Sequence, residues 1–391
     1  MSTAPPAAEK AASYMNAEDT PPVQSRSEFF QSADVADFAS VTGREAQWKH
    51  SPVARLAPLL SGELDGSAYP FTVSDSANVN VHFVPSGQVS RGIAGLPEER
   101  LSANAWGQVS EVLLIELTGD SGAPIVITRN GLGESARAAH TVVSVAPGAH
   151  ATIVVRSQGA ALLGETVEFD LGQDSSLHAV FLGEWSPGAI QYATHSASLG
   201  QGAVLTHIAV DLGGDIVVVN PNAHLIGQRS EAHLFGAYFA DATQHHEHRV
   251  YVNHVGAQTV SRVNYKGALH GRGARTVWVG DVLIGPDAVG TDSYEQNRNL
   301  VLSEGTRADS IPNLEIKTGD IQGAGHASAT GRFDDEQLFY LQSRGIEELE
   351  ARRLVVLGFL LEVLQKIEVP DLVTELTDAM QVKLTKTEDT V

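Results

Sequence analysis

A β-solenoid flanked by helical segments is the fold class that this sequence predicts, on three observations. First, from about Ala68 to Thr330 short β-rich runs recur about every ten to fifteen residues, separated by Gly, Asp, Asn and Ser. They include Val112 to Leu117, Thr141 to Val145, Thr166 to Leu171, Val204 to Val210, Ile216 to Val219 and Thr276 to Val279. Second, no convincing amphipathic helix falls between them. Third, roughly 260 residues of this texture is long for one sandwich, whereas coils stacked on a shared core extend without limit. The tetrads Leu171-Gly172-Gln173-Asp174 and Leu199-Gly200-Gln201-Gly202 read as an imperfect coil repeat.

The flanks have a different texture, which divides the chain into residues 1–66, 67–332 and 333–391. Met1 to Pro22 is rich in Ala, Ser and Pro with no apolar core, so it reads as a flexible segment and as neither a signal peptide nor an anchor. Ser25 to Leu60 carries Phe29, Phe30, Val35 and Phe38, then Trp48, Val53, Leu56, Leu59 and Leu60, at helix-like spacing broken by Pro52 and Pro58. At the far end Asn313 to Ile316 is strand-like, and a Gly-rich turn, Gly323 to Gly331, holds His326. Asp334 and Asp335 then favour a helix N-terminus, and Arg344-Gly345 reads as its stop. A second helix carries the stripe Leu349, Val356, Leu360 and Leu364, which Leu357, Leu361 and Val363 widen enough to offer apolar surface to a partner groove. Pro370-Asp371 opens a last helix with Leu372, Leu376 and Met380.

Composition narrows the function classes. With 26 Lys plus Arg against 47 Asp plus Glu, the formal charge of −21 disfavours nucleic acid and anionic membrane as partners. The chain has no cysteine, so it has no disulfide, no thiolate nucleophile and no thiolate metal ligand. A cytoplasmic location is the expectation. No G-x-x-x-x-G-K-[ST] occurs, so any nucleotide hydrolysis belongs to a partner.

Few motifs carry chemistry. His245-His246-Glu247-His248 is the densest set of metal-ligand types, and on a strand His246 and His248 would share a face. Nothing supplies a third ligand, so a histidine-rich surface turn is the preferred reading. The G-x-G-x-x-A at Gly131 to Ala136 lacks the following helix of a dinucleotide loop and reads as a hairpin turn. Asp335, Glu336 and Glu347 to Glu350 read as dipole and capping groups rather than general acids. His326 stands alone, among small residues that let another backbone approach closely, and imidazole both ligates iron and shuttles protons near neutral pH.

The run Arg298-Asn299-Leu300-Val301-Leu302-Ser303, then Ala308-Asp309-Ser310-Ile311-Pro312-Asn313-Leu314-Glu315-Ile316, then His326, then Asp335-Glu336-Gln337-Leu338-Phe339-Tyr340-Leu341-Gln342-Ser343-Arg344-Gly345-Ile346 resembles the SufB/SufD family of iron–sulfur cluster assembly. The resemblance is close over roughly the last third of the chain and weaker upstream. It implies a right-handed parallel β-helix and a non-catalytic scaffold subunit of the SUF complex. That subunit pairs with a SufB-like homologue and docks a SufC-like ABC ATPase. His326 would be the cluster-assembly and metal residue at the subunit interface, facing a SufB cysteine. Asp335, Glu336, Gln337, Phe339, Tyr340, Leu341, Arg344 and Gly345 would bind SufC, within a docking element from Asp335 to Lys366. No cofactor is then bound by this chain alone, and an iron–sulfur cluster is shared transiently with SufB. Ala324 stands where the related turn often has cysteine, and His-Gly-Ala-Thr becomes His326-Ala327-Ser328-Ala329-Thr330, departures that favour the SufD branch over SufB. An open solenoid surface built to pair with a homologue can also pair with itself, so a homodimer in isolation is a further expectation. The alternative is a β-helix carbohydrate-active lyase or hydrolase using Asp281, Asp287 or Asp292.

Overall fold

The computed structural model describes residues 26, 29–332 and 335–388; Met1 to Pro22 and the expected capping residue Asp334 lie outside the described residues. Among the described residues eighteen strands form two nine-stranded sheets. From Ile125–Arg129 onward successive strands alternate between the sheets, and each pairs in parallel with the next strand but one. His150 pairs with Ser176 and Val260 with Asp292, so one full coil separates each residue from its register partner, and the later coils are the longer ones. The result is a parallel β-solenoid of about 8 turns. Only the first pairings, Thr72–Val73 with Ile125–Arg129 and Val79–Pro85 with Glu111–Leu117, are antiparallel.

Stacking puts like on like. Leu117, Val145, Leu171, Leu199 and Leu225 are successive register partners, forming an aliphatic ladder inside the solenoid. His254 continues it, its ring nitrogens within 2.8 Å of Thr259 Oγ1 and 2.9 Å of Ser261 Oγ. The tetrads are the corners that follow. Asp174 and Gly202 hold positive φ, and their N–H groups donate to Gln201 and Gln228 of the next coil at 2.8 and 2.9 Å. The corners are tight enough that a Cβ on Gly227 would lie 2.1 Å from the Gln201 nitrogen, which leaves glycine as the fitting residue.

Helices cover the outer faces. α1 (Val53–Ser61) and α2 (Arg100–Gln108) place Leu56, Leu59, Leu101 and Ala105 against Ala138, Val142, Tyr192 and Val218 of one sheet. α2 lies inside the stretch expected to hold no helix. It is short and built of Ser, Ala and Asn between its two large apolar residues, Leu101 and Trp106, so its periodicity is faint; Glu99 starts it by accepting from Leu101 and Ser102 N–H at 2.6 and 2.8 Å. Pro58, expected to break the helix, sits within α1, and Pro52 is its N-cap residue.

On the other sheet lie α4 (Glu348–Leu364) and α5 (Pro370–Glu388), preceded by α3 (Asp335–Ser343). Val356, Leu360, Val363, Leu364, Leu372, Leu376 and Met380 pack onto Val180, Ile208, Val210, Phe239 and Ala268. From Val356 onward the apolar face of α4 is thus spent within the chain, with Val363 fully buried and Leu357 and Leu361 half-buried, and only its start, at Leu349 and Leu354, stays exposed. Lys266 Nζ to Glu362 at 2.5 Å and Arg156 to Glu375 at 2.5 Å tie the helices down.

Two motif readings change. His245, His246, Glu247 and His248 are buried at the start of the strand His245–His254, not in a surface turn. His248 Nε2 lies 2.8 Å from Asp211 Oδ2, and His245 Nε2 lies 3.0 Å from Glu247 Oε2. Polarity suggested exposure, but His245, Glu247 and His248 each find a partner inside the fold, while His246 is buried with neither ring nitrogen hydrogen-bonded among the described residues. Gly131 to Ala136 joins strands of opposite sheets, so it is a solenoid corner and not a hairpin.

Candidate functional site at the open end of the solenoid

At this end each sheet finishes on an edge strand paired on one side only, Arg307–Ile316 in one and Gly323–Gly331 in the other. Neither has a neighbour on its outer side among the described residues, and both are half-buried to exposed along their length. Two adjacent free strand edges expose rows of backbone donors and acceptors, a template for a further strand. Pro312 is tolerated here because an edge strand has one unpaired side.

His326 lies on the second of these strands, which the sequence suggested was a Gly-rich turn. Its glycines and alanines carry little strand preference; the parallel ladder from Asp292–Val301 imposes the extended form. The same ladder makes His326 the register partner of Glu295. The His326 side chain is 43% exposed, that of Glu295 only 1%, and Nδ1 lies 3.9 Å from Oε1. Neither carboxyl oxygen of Glu295 has a hydrogen-bond partner among the described residues. Burial, and then the nearby charge of Asp281, push its pKa up to about 8. Gly280 makes room for it, since a Cβ there would fall 2.4 Å from Glu295 Oε2.

The surrounding polar groups are better served. Asn297 donates to Tyr238 Oη at 3.0 Å, Tyr238 donates to Asn299 Oδ1 at 2.9 Å, and Ser310 on the opposite edge strand donates to Asn297 Oδ1 at 2.7 Å. This network holds the mouth of the solenoid in one geometry and does not reach Glu295, whose carboxyl is unpartnered like the nearby Tyr265 hydroxyl and Trp278 N–H. Sequence reasoning missed Glu295. In Ser293 to Asn299 every residue but Tyr294 is polar or charged, so alternation does not tell which face is inside. The signal was the coil length: Asp292 pairs with Gly323, and the same step carried along the strand places residue 295 under 326.

The expected docking residues gather at α3. Phe339 and Tyr340 are 73% and 56% exposed, and the Arg344 guanidinium lies 5.0 Å from the Tyr340 ring centre. Glu336 is exposed and Leu341 half-buried, while Leu338 is the buried residue on this helix. Gly345 ends it at φ 85°. The side chains of Asp335 and Gln337 lie outside the described residues. Leu349 and Leu354 at 55% and 40% exposure extend the apolar patch onto α4.

The carboxylates of the glycan-hydrolysing alternative are not brought together. Asp281 and Asp292 belong to different sheets, Asp281 accepting from Asn313 at 2.8 Å and Asp292 pairing with Arg262 at 2.5 Å, while Asp287 lies in a connecting corner. Among the described residues no set of three or more His, Cys, Asp or Glu is arranged to hold a metal ion. A cavity between the N-terminal segments and the outer sheet face is lined by Trp48, Glu98, Tyr192 and Asn220, and its guanidinium groups are committed to Glu98, Asp281 and Glu247. No helix of the described residues is long and apolar enough to cross a membrane.

The fold is a stacked parallel solenoid with helices on both faces and a half-exposed histidine at one open end. The SUF-system iron–sulfur cluster assembly SufBD core domain matches residues 126–359. An iron–sulfur cluster assembly SufBD family protein of Mycobacterium tuberculosis is 44% identical, over 93% of this chain and 94% of its own length. A second, from Mycobacterium leprae, is 42% identical over 92% and 94%. The iron–sulfur cluster assembly protein SufD of Escherichia coli is 25% identical over 80% of this chain and 73% of its own. The chain belongs to the SufBD family of iron–sulfur cluster assembly proteins.

Proposed function

We propose that this chain is the SufD-like scaffold subunit of a SUF assembly complex, without catalytic chemistry of its own. Its open end pairs with the matching end of a SufB-like solenoid, and nascent iron–sulfur cluster, as the complex's cargo, is built at that seam. The observation that carries the reading is the position of His326, the half-exposed imidazole on a free edge strand. With no cysteine in the chain, thiolates for the cluster must come from across the seam.

The ATPase-docking element is α3 with the adjoining end of α4. Phe339, Tyr340, Leu349 and Leu354 form an exposed apolar patch, whereas the buried stripe of α4 is occupied by the chain's own sheet. ATP-driven movement of a SufC-like subunit held there changes the contacts at the open end, which requires two states of the complex with different seam contacts. Alone, the free edges pair with a second copy of the chain.

Co-expression with a SufB-like and a SufC-like protein from the same source, followed by size exclusion and an ATPase assay, tests this. The double variant Phe339→Glu, Tyr340→Glu is the proper control, because deleting everything after Thr330 would also strip α4 and α5 from the sheet they cover. A ternary complex with the intact chain, and loss of the ATPase alone with the double variant, is the expected result. Failure of the intact chain to join either protein would refute the scaffold reading.

A further inference from the structure

Glu295 is anomalous among the carboxylates of this fold. It is buried, both its oxygens lack partners, and a glycine at position 280 is needed to leave it space. Buried Glu165 and Glu168, by contrast, are each fully engaged. Glu165 accepts from Arg129 Nη2 at 2.8 Å, and Glu168 accepts from Gly92 and Ile93 N–H at 2.8 Å with His140 Nε2 at the same distance. A buried polar group without a partner is a standing cost to the fold, and one persists where a second component or a movement satisfies it.

The group poised to do so is His326. Its Nδ1 is 3.9 Å from Glu295 Oε1, too long for a hydrogen bond, but the ring is half-exposed on an edge strand and has room to turn. Hydrogen bonds of functional groups are often long in a free subunit and tighten in the working complex. We propose that Glu295 is the positioning residue of His326. Its carboxyl accepts the Nδ1–H, which fixes the ring tautomer and turns the Nε2 lone pair outward to the seam. His326 is then presented as a neutral nitrogen donor for divalent iron, with orientation supplied from inside the solenoid rather than by the partner. Carboxylate support of the far ring nitrogen is the usual way a ligating histidine is oriented. The inference rests on the scaffold reading for what is bound, but not for the tautomer.

The test is the side-chain nitrogen NMR spectrum of the purified full-length chain with labelled histidine, at pH 8.5, the His326 signal being assigned by its absence in His326→Ala. In free imidazole side chains the Nε2–H form predominates. The expected result is a predominantly Nδ1–H form at His326, retained in Glu295→Gln, whose amide oxygen also accepts, and reverting to Nε2–H in Glu295→Leu. A predominantly Nε2–H signal in the unaltered chain, or one that Glu295→Leu leaves unchanged, would overturn the proposal. Failure of the complex to form, with the Nδ1–H signal present, would count against the scaffold reading alone.

Discussion

Glu295 and His326 are register partners in the last parallel pair of their sheet, with Oε1 3.9 Å from Nδ1 and only the histidine reaching solvent. A costly buried carboxyl beneath a half-exposed imidazole, at the end of the solenoid formed by the last strand of each sheet, is the feature on which the functional account turns. It also makes the stability of the chain depend on pH in a particular direction.

The Glu295 carboxyl is pushed up to about 8 in the folded chain by burial, from roughly 4.3 unfolded. Between those values the folded state binds the extra proton, so stability is greatest below about pH 4 with respect to this group and falls as pH rises through about 8. Glu295→Gln removes that slope. Denaturant unfolding should show the variant more stable than the parent by roughly 1–3 kcal/mol at pH 8.5, with the gap closing towards pH 4. Equal stabilities at both pH values would contradict the account of the site.

His326 is half-exposed on an edge strand, so removing it should not disturb the fold. His326→Ala is expected to stay within about 0.5 kcal/mol of the parent in unfolding experiments. In cells that depend on this chain, iron–sulfur enzyme activity should nevertheless fall, while the complex with its partners still purifies. Full activity would remove His326 from the site.

The C-terminal helices separate into packing and docking residues. Leu360, fully buried between α4 and the sheet, should cost about 2–5 kcal/mol as Leu360→Ala, measured by denaturant midpoint. Phe339→Glu with Tyr340→Glu should leave that midpoint unchanged and abolish binding of the ATPase in a pull-down. A large stability loss from the double variant would mean that α3 packs where it is described as exposed.

Buried Arg129 pairs with Glu165 inside the solenoid, with Ser157 accepting its Nε–H at 2.8 Å. Arg129→Met would leave the Glu165 charge uncompensated and should cost about 3–5 kcal/mol. Arg129→Met with Glu165→Leu should recover most of it, read from the same unfolding curves.

Much of the fold was legible because a solenoid repeats its signals. The Leu171 and Leu199 tetrads are register partners on one ladder, and their glycine and left-handed corners recur with each coil, so local sequence and long-range pairing agree. What was illegible depended on pairing across coils. Gly323–Gly331 is a strand only because its neighbour makes it one, and burial of His245 and His248 is matched by Glu247 and Asp211 beside them. α2 left too faint a stripe to register. At the site His326 could be singled out from its neighbours in sequence, whereas Glu295 became visible only once the coil length set which residue lies beneath it.

The central claim, that the open end is the seam, is tested most directly by cross-linking, for which a cysteine-free chain is well suited. Ser328→Cys places one thiol on the exposed edge strand, and Ser61→Cys places one at the end of α1 on the opposite flank. Each is co-expressed with a SufB-like partner and mildly oxidised. The account predicts a covalent heterodimer from Ser328→Cys and none from Ser61→Cys, since a disulfide needs Cα atoms within about 7 Å. A heterodimer linked through position 61, with none through 328, would contradict it.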